Sequence, residues 1–251
     1  MNENSLSFTI IIPTYNCKKV ISDAINSVVL QTFSNYEIVC VDGASVDGTV
    51  EVLNEYANKY SFVRVLSEPD SGIYDAMNKG VSMAEGDWIL FLGADDKLYS
   101  KHTLETVYRM IKSNNFDFVY GDVVLQGSTK IYDGRFNLFK LNFKNICHQA
   151  IFYHNRLFAK GNTFDIDLRV NADWEFNLKC FLDPTIRKKY IPIVISEFNE
   201  TGTSSNTEDD IVHRRQQLRK RMPYWIRVFF KYRHTKFVRL ISRFFLNNRY
   251  A

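Results

Sequence analysis

Short apolar runs alternate four times with helix-length amphipathic segments in the first 92 residues, and no other feature constrains the fold of this chain so tightly. Phe8-Thr9-Ile10-Ile11-Ile12 is a β-branched run stopped by Pro13 and reads as a buried strand. A loop follows, in which Asn16 is placed to cap a helix whose apolar face is Val20, Ile21, Ala24, Ile25, Val28 and Val29. Tyr36 to Val41 is the second strand, the turn-rich stretch Asp42 to Thr49 a loop, and Val50 to Tyr60 a helix. Phe62 to Leu66 forms a third strand, and after Pro69-Asp70-Ser71-Gly72 a helix runs over Ile73 to Ala84. Trp88-Ile89-Leu90-Phe91-Leu92 has the length and flanks of a strand buried on both faces, although periodicity alone would also suit a buried helix. The alternation predicts an α/β fold with a mostly parallel central sheet and helices on both faces. Ligands of such sheets bind outside the carboxyl ends of the strands.

Those ends carry acids. Asp95-Asp96 follows the fourth strand after Gly93-Ala94, Asp42 follows the second, and Thr14-Tyr15 follow the first beyond Pro13. Adjacent ionised carboxylates repel, so the pair reads either as a solvated turn or as the holder of a cation. Mg2+ is usually held by one or two carboxylates with substrate phosphates and water, which would place a nucleotide diphosphate here. Asp42, in Asp-Gly, could equally serve only to shape its turn.

Beyond Asp96 the pattern changes. Thr103 to Lys112 is predicted helical, Phe116 to Leu125 and Lys130 to Tyr132 are predicted strands, and His148 to Tyr153 another strand. Trp174 to Phe181 forms a helix with Asp173 at its cap and Pro184 past its end, and Ile191 to Ile195 closes the sheet.

The four cysteines, Cys17, Cys40, Cys147 and Cys180, are scattered without a Cys-x-x-Cys pair, which points to reduced thiols in a cytoplasmic protein and to neither a disulfide framework nor a zinc site. Residues 211–251 hold twelve of the 32 lysines and arginines and none of the 28 acids, so they carry +12 while residues 1–210 carry −8. Phe237, Leu240, Ile241, Phe244 and Phe245 follow helical spacing, with Lys236, Arg239 and Arg243 largely opposite. A basic amphipathic helical tail of this kind is expected to lie in an anionic membrane interface, at the inner face of the cell membrane. The alternative is that its apolar face packs on the body of the protein. No nucleic-acid module accompanies it, so nucleic acid is not an expected partner.

Ile-Ile-Pro-Thr-Tyr-Asn, Val-Asp-Gly-Ala-Ser-Val-Asp-Gly-Thr, Gly-Ile-Tyr-Asp-Ala-Met-Asn-Lys-Gly and Phe-Leu-Gly-Ala-Asp-Asp occur in this order. Over roughly residues 7 to 200 the chain resembles the family 2 glycosyltransferases of GT-A (Rossmann-like) fold, and the ordered set is far more specific than any one motif. The resemblance implies an inverting enzyme that moves a sugar from a nucleotide diphosphate donor, a UDP-sugar, to a hydroxyl of a glycan or polyprenyl-linked acceptor. It implies that Thr14 and Tyr15 border the nucleotide, that Asp42 accepts from the base, that Asp95 lies near the ribose and that Asp96 holds Mg2+ or Mn2+. Asp173 falls where the family's catalytic base stands. It also implies a catalytic domain over residues 1–205, with a nucleotide-sugar half to about residue 100 and an acceptor half after it, followed by the tail over 206–251.

Four residues depart from the family's habit: Gly43 and Gly93 where acids are common, Met77 where Arg is frequent, and Ala172 where Glu often precedes the base. His148 could contact diphosphate or acceptor and Trp174 could stack on a sugar, but both types are more often structural at such positions, and Tyr74 and Asp75 carry less signal still. A sugar nucleotidyltransferase would need a Gly-rich basic loop after the first strand, which Pro13-Thr14-Tyr15-Asn16 is not. A non-catalytic nucleotide-sugar or polyanion binder would bind without turnover.

Overall fold

The computed structural model describes residues 7–132 and 134–199. The predicted tail lies outside them. The described elements run β1 (Phe8–Thr14), α1 (Ile21–Val29), β2 (Tyr36–Asp42), α2 (Thr49–Lys59), β3 (Val63–Ser67), α3 (Ile73–Met83), β4 (Trp88–Phe91) and β5 (Lys97–Leu98). Then come α4 (Thr103–Ile111), β6 (Phe118–Leu125), β7 (Ile131–Tyr132), α5 (Leu138–Leu141), β8 (Ile151–His154), α6 (Ala172–Leu182) and β9 (Lys188–Phe198).

They form one nine-stranded sheet in the order β3-β2-β1-β4-β8-β6-β9-β5, with β7 on the side of β6. The first four strands are parallel throughout. The other half is mixed, because β8 runs antiparallel to both β4 and β6 while β9 runs parallel to β6. That reversal matters for the site. It brings the start of β8, and the 3-10 turn His148–Ala150 before it, to the carboxyl end of β4.

Alternation along β1 explains how both faces are buried. Phe8, Ile10 and Ile12 pack with α1 and α4 through Ile21, Ile25, Leu104 and Val107. Ile11 turns to the opposite face, with Val39, Met77 of α3 and Phe176 of α6. Gly80 lets α3 close onto β1, since a Cβ there would run into Ile11 Cγ2. Met77, wholly buried in that contact, is core and not a phosphate ligand. The Lys79 ammonium is engaged as well, by the Pro69 carbonyl at 2.8 Å and the Glu68 carboxylate at 2.9 Å.

Several boundaries differ from expectation for local reasons. β1 continues through Pro13, paired with Val41. Its odd residues bond toward β4, as Leu92 N to Ile11 O does, and β4 has ended by Phe91, so the missing N–H of Pro13 forfeits no ladder bond. Asn16 does not cap α1, whose N-cap is Val20 without a side-chain bond. Asn16 instead sits at φ 46° and clasps the next loop: its N–H donates to Ser45 Oγ at 2.8 Å and its Oδ1 accepts from Val46 N at 3.0 Å. Asp173 does not cap α6 either. The N-cap is Asn171, and Asp173 lies inside the first turn with its carboxylate turned elsewhere.

Candidate active site

β2, β1 and β4 are neighbours in the sheet, and from their carboxyl ends come Asp42, Thr14-Tyr15 and Asp95-Asp96. The register sets Thr14 opposite Asp42. Thr14 Oγ1 lies 3.3 Å from both Val41 O and Asp42 Oδ1. Asp42, 0% exposed, also accepts from Ser45 Oγ at 2.5 Å, Ser45 N at 2.8 Å and Ser67 Oγ at 2.8 Å. With a carboxylate's roughly four acceptor positions taken, Asp42 shapes the β2–α2 loop, and Ala44 beside it is held at φ 58°. Tyr15 is the opposite case. Its ring is 68% exposed at the tip of β1. A Cβ at Gly43 would lie 2.6 Å from Asp70 Oδ2, so a carboxylate from the β3–α3 loop stands where a side chain at 43 would need to be.

Asp96 is 5% exposed and accepts from the backbone N–H of Asn199 at 3.1 Å. Burial pushes its pKa up to about 6, the charge of His148 works against that rise, and neighbouring Asp95 adds to it. A Cβ at Gly93 would meet Asp96 Oδ2 at 2.5 Å and Asp95 Oδ1 at 3.3 Å. Glycine at 93 therefore lets both carboxylates fold back over the backbone where an acid side chain would displace them. Among the described residues no group of three or more His, Cys, Asp or Glu converges as a metal site. Asp96 nonetheless has the chemistry of part of one. It is a desolvated carboxylate short of a positive charge, and a hard cation completed by substrate phosphates suits it.

Asp173, also 5% exposed, is held on both oxygens. Tyr74 Oη donates to Oδ1 at 2.7 Å and Asn145 Nδ2 to Oδ2 at 2.7 Å, while His148 Nδ1 stands 3.8 Å from Oδ2. Burial disfavours the His148 imidazolium, but bonding and charge from Asp173, then the charges of Asp96 and Asp95, outweigh it and raise its pKa. One imidazole is thus within electrostatic range of the base candidate and of the acid pair. Trp174 points its indole N–H at Leu141 O, 2.6 Å away, which pins α6 to α5.

The residues expected at the site lie as follows: Thr14, Tyr15, Asp42, Asp95 and Asp96 at the carboxyl ends of β1, β2 and β4, and Asp173 in the first turn of α6. Around Asp173 the structure adds Tyr74 and His148, which carried little signal, and Asn145, which carried none. Tyr74 sits in the Gly-Ile-Tyr-Asp motif, which was signal enough to suspect it. Asn145 lies in a loop with no pattern of its own.

The description Glycosyl transferase family 2 matches residues 9–167. The chain belongs to that family. It is a glycosyltransferase of GT-A fold, 42% identical over 219 residues to the PGL/p-HBAD biosynthesis glycosyltransferase of Mycobacterium bovis, covering 86% of this chain and 84% of that protein. Among solved structures, S. aureus TarS 1-349 in complex with UDP-GlcNAc superposes with a TM-score of 0.74 at 21% identity, covering 86% of this glycosyltransferase and 66% of that chain. The mannosyltransferase PcManGT from Pyrobaculum calidifontis, in complex with GDP-Man and Mn2+, gives 0.63 at 19% identity, covering 81% and 59%. At these identities the structural likeness speaks for the fold.

Proposed function

We propose that this glycosyltransferase moves a sugar with inversion from a UDP-sugar to a hydroxyl of a lipid-linked or cell-surface glycan, with Asp173 as base and a divalent ion at Asp96. The observation that carries the reading is the position of His148, which answers to Asp173 on one side and to Asp96 and Asp95 on the other. Base candidate and acid pair therefore lie within electrostatic reach of the same imidazole. Direct displacement needs these two jobs in separate groups, a carboxylate to take the acceptor's proton and a positive charge to meet the leaving diphosphate. Asp173, oriented by Tyr74 and Asn145, takes the proton as the acceptor oxygen forms its bond to the anomeric carbon and the nucleotide leaves. Asp96 would hold Mg2+ or Mn2+, which would supply charge neutralisation on the leaving diphosphate. Tyr15 packs its open ring on the nucleotide, Thr14 and Asp42 shape the base pocket, and Asp95 faces the ribose. The complexes of TarS with UDP-GlcNAc and of PcManGT with GDP-Man and Mn2+ support a nucleotide-sugar donor and a metal.

Residues 211–251, with twelve basic side chains and no acid, hold the enzyme at the inner face of the cell membrane, where a lipid-linked acceptor would be met. Among the described residues no helix is long and apolar enough to cross a membrane. Incubation with UDP-, GDP- and dTDP-sugars and Mn2+, with and without lipid acceptor extracts, tests the reaction through nucleotide release. Acceptor-dependent release of UDP is the expected result, and tight donor binding with no release across the panel would sink the transferase assignment. Removing residues 211–251 should move the protein from the membrane to the soluble fraction, and an unchanged partition with the fold retained would count against the anchor.

A further inference from the structure

Behind Asp173 runs a chain of polar groups, half-buried at Asn145 and buried at Asn177 and Tyr153, that the proposed transfer reaction does not use beyond its first member. Tyr153 Oη donates to Asn177 Oδ1 at 2.8 Å, Asn177 Nδ2 to Asn145 Oδ1 at 2.9 Å, and Asn145 Nδ2 to Asp173 Oδ2 at 2.7 Å. Its direction is dictated by its end. An ionised carboxylate only accepts, so Asn145 must turn its amide nitrogen to Asp173 and its oxygen to Asn177, and Asn177 must then offer its own oxygen to the phenol.

The far end of the chain is rigid. Tyr153 is fully buried, and its ring meets those of Phe91, Phe118, Phe158 and Phe176 at centroid distances of 5.9, 5.1, 5.6 and 5.7 Å. Burial also raises its pKa well above the usual value, so the hydroxyl remains a donor. Tyr153 pairs with Ile89 of β4, the strand whose end carries Asp95 and Asp96. The chain therefore ties the carboxylate of α6 to the strand that presents the acid pair. Leucine, close in size, would fill the space of Asn177, which is 0% exposed, without requiring any partner.

We propose that Asn145, held in one orientation by Asn177 and Tyr153, is a positioning residue that fixes the Asp173 carboxylate for proton removal from the acceptor hydroxyl. This rests on Asp173 being the base. Tyr74 and Asn145 occupy one acceptor position on each carboxylate oxygen, and with His148 facing Oδ2 at 3.8 Å it is Oδ1 that keeps a position for the acceptor. Without the chain the carboxylate keeps its charge and its place on α6 but loses its defined rotation, and a base that is present but loosely held is a slow one.

In the full-length protein, Asn145→Ala should lower kcat roughly 10- to 100-fold and leave the donor KM within about twofold, the size of effect seen when an outer partner of a functional ligand is removed. Tyr153→Phe deletes one oxygen from the anchored ring and should lower kcat by about three- to tenfold with the same split, and it carries the test if Asn145→Ala does not fold. A folded variant with kcat unchanged, or one whose loss lies wholly in donor KM, overturns the proposal. Crystal structures of the variants give a readout independent of turnover: Asp173 spread over more than one rotamer supports positioning, and an unmoved carboxylate overturns it. Failure of the unsubstituted enzyme to transfer from any donor strikes at the transfer reading instead, and the rotamer of Asp173 then decides the positioning on its own.

Discussion

Asp42 and Asp173 are both buried carboxylates bonded on both oxygens, one in each half of the chain, and their partners differ in number and in origin. Asp42 accepts from Thr14 and Ser67, the last residues of β1 and β3, and from Ser45 in the loop after β2. Asp173 accepts from Tyr74, 99 positions away, and from Asn145, 28 positions away, with His148 3.8 Å from Oδ2, and keeps acceptor capacity on Oδ1. The first is saturated and built into a loop. The second is oriented and left able to react. Under the proposed reaction the same residue type would serve as framework on the donor side and as reagent on the acceptor side, and the distinction would lie in the donors around it.

The largest effect that would test this contrast is on turnover. Asp173→Asn should lower kcat by about 10²- to 10⁴-fold, the usual worth of a general base, with donor binding intact. The Tyr74 hydroxyl can rotate to accept from the new amide, so the fold should survive. Normal transfer by Asp173→Asn, measured as acceptor-dependent nucleotide release, would remove the base assignment. Next in size, Asp96→Ala should weaken donor binding in Mn2+ by roughly 10- to 100-fold while leaving metal-free binding unchanged. Calorimetry with and without chelator checks it, and equal loss under both conditions would mean that Asp96 does not act through a metal. Asp42→Asn tests the other side of the comparison. Its amide would face donors on a fully buried site, so it should cost about 1–3 kcal/mol of stability in denaturant unfolding, where Asp173→Asn costs less.

The first half of the fold was legible because each strand and each helix there carries its own period, and parallel neighbours follow from their alternation. What escaped was set by partners remote in sequence. β5 is two residues long and exists because β9 lies beside it, pairing Lys97 with Glu197 and Leu98 with Ser196. Asn16 has the residue type of a helix cap, yet the loop at Ser45 and Val46 offers it two bonds and wins. Asp173 likewise has the type and position of a cap, but Tyr74 and Asn145 draw the carboxylate away from the helix end. The candidate acids could be picked out because their motifs are local. The groups that aim them could not, because Asn145, Asn177 and Tyr153 acquire their roles only when β8 and α6 meet.

The titration of Asp96 sharpens the comparison at an intermediate size. Its folded-state pKa, about 6, lies above the ordinary 3.8, so the folded protein holds this proton more tightly than the unfolded chain does. Its contribution to stability is therefore full below about pH 4 and lost as pH rises through 6. Metal-assisted donor binding must run the other way, since only the ionised carboxylate is a ligand. Affinity in Mn2+ should climb by up to about tenfold per pH unit below 6 and level off above it. A flat profile between pH 5 and 7.5 would exclude Asp96 from metal binding.

The smallest effect concerns the seam where β9 joins the two kinds of pairing. Ser196 pairs with Leu98 of β5 and Val123 of β6 just where the β6–β9 register shifts, and it is 0% exposed. Among the described residues its Oγ has no hydrogen-bond partner, unlike the carboxylates of Asp42 and Asp173, whose every oxygen is engaged. A buried hydroxyl that bonds nothing costs free energy, and removing it leaves a void of only one oxygen. Ser196→Ala should therefore be neutral or stabilising by up to about 1 kcal/mol in urea unfolding, with transfer unchanged. Destabilisation instead would show that this oxygen is engaged in solution, and that the acceptor half satisfies its buried polar groups as fully as Asp42 is satisfied on the donor side.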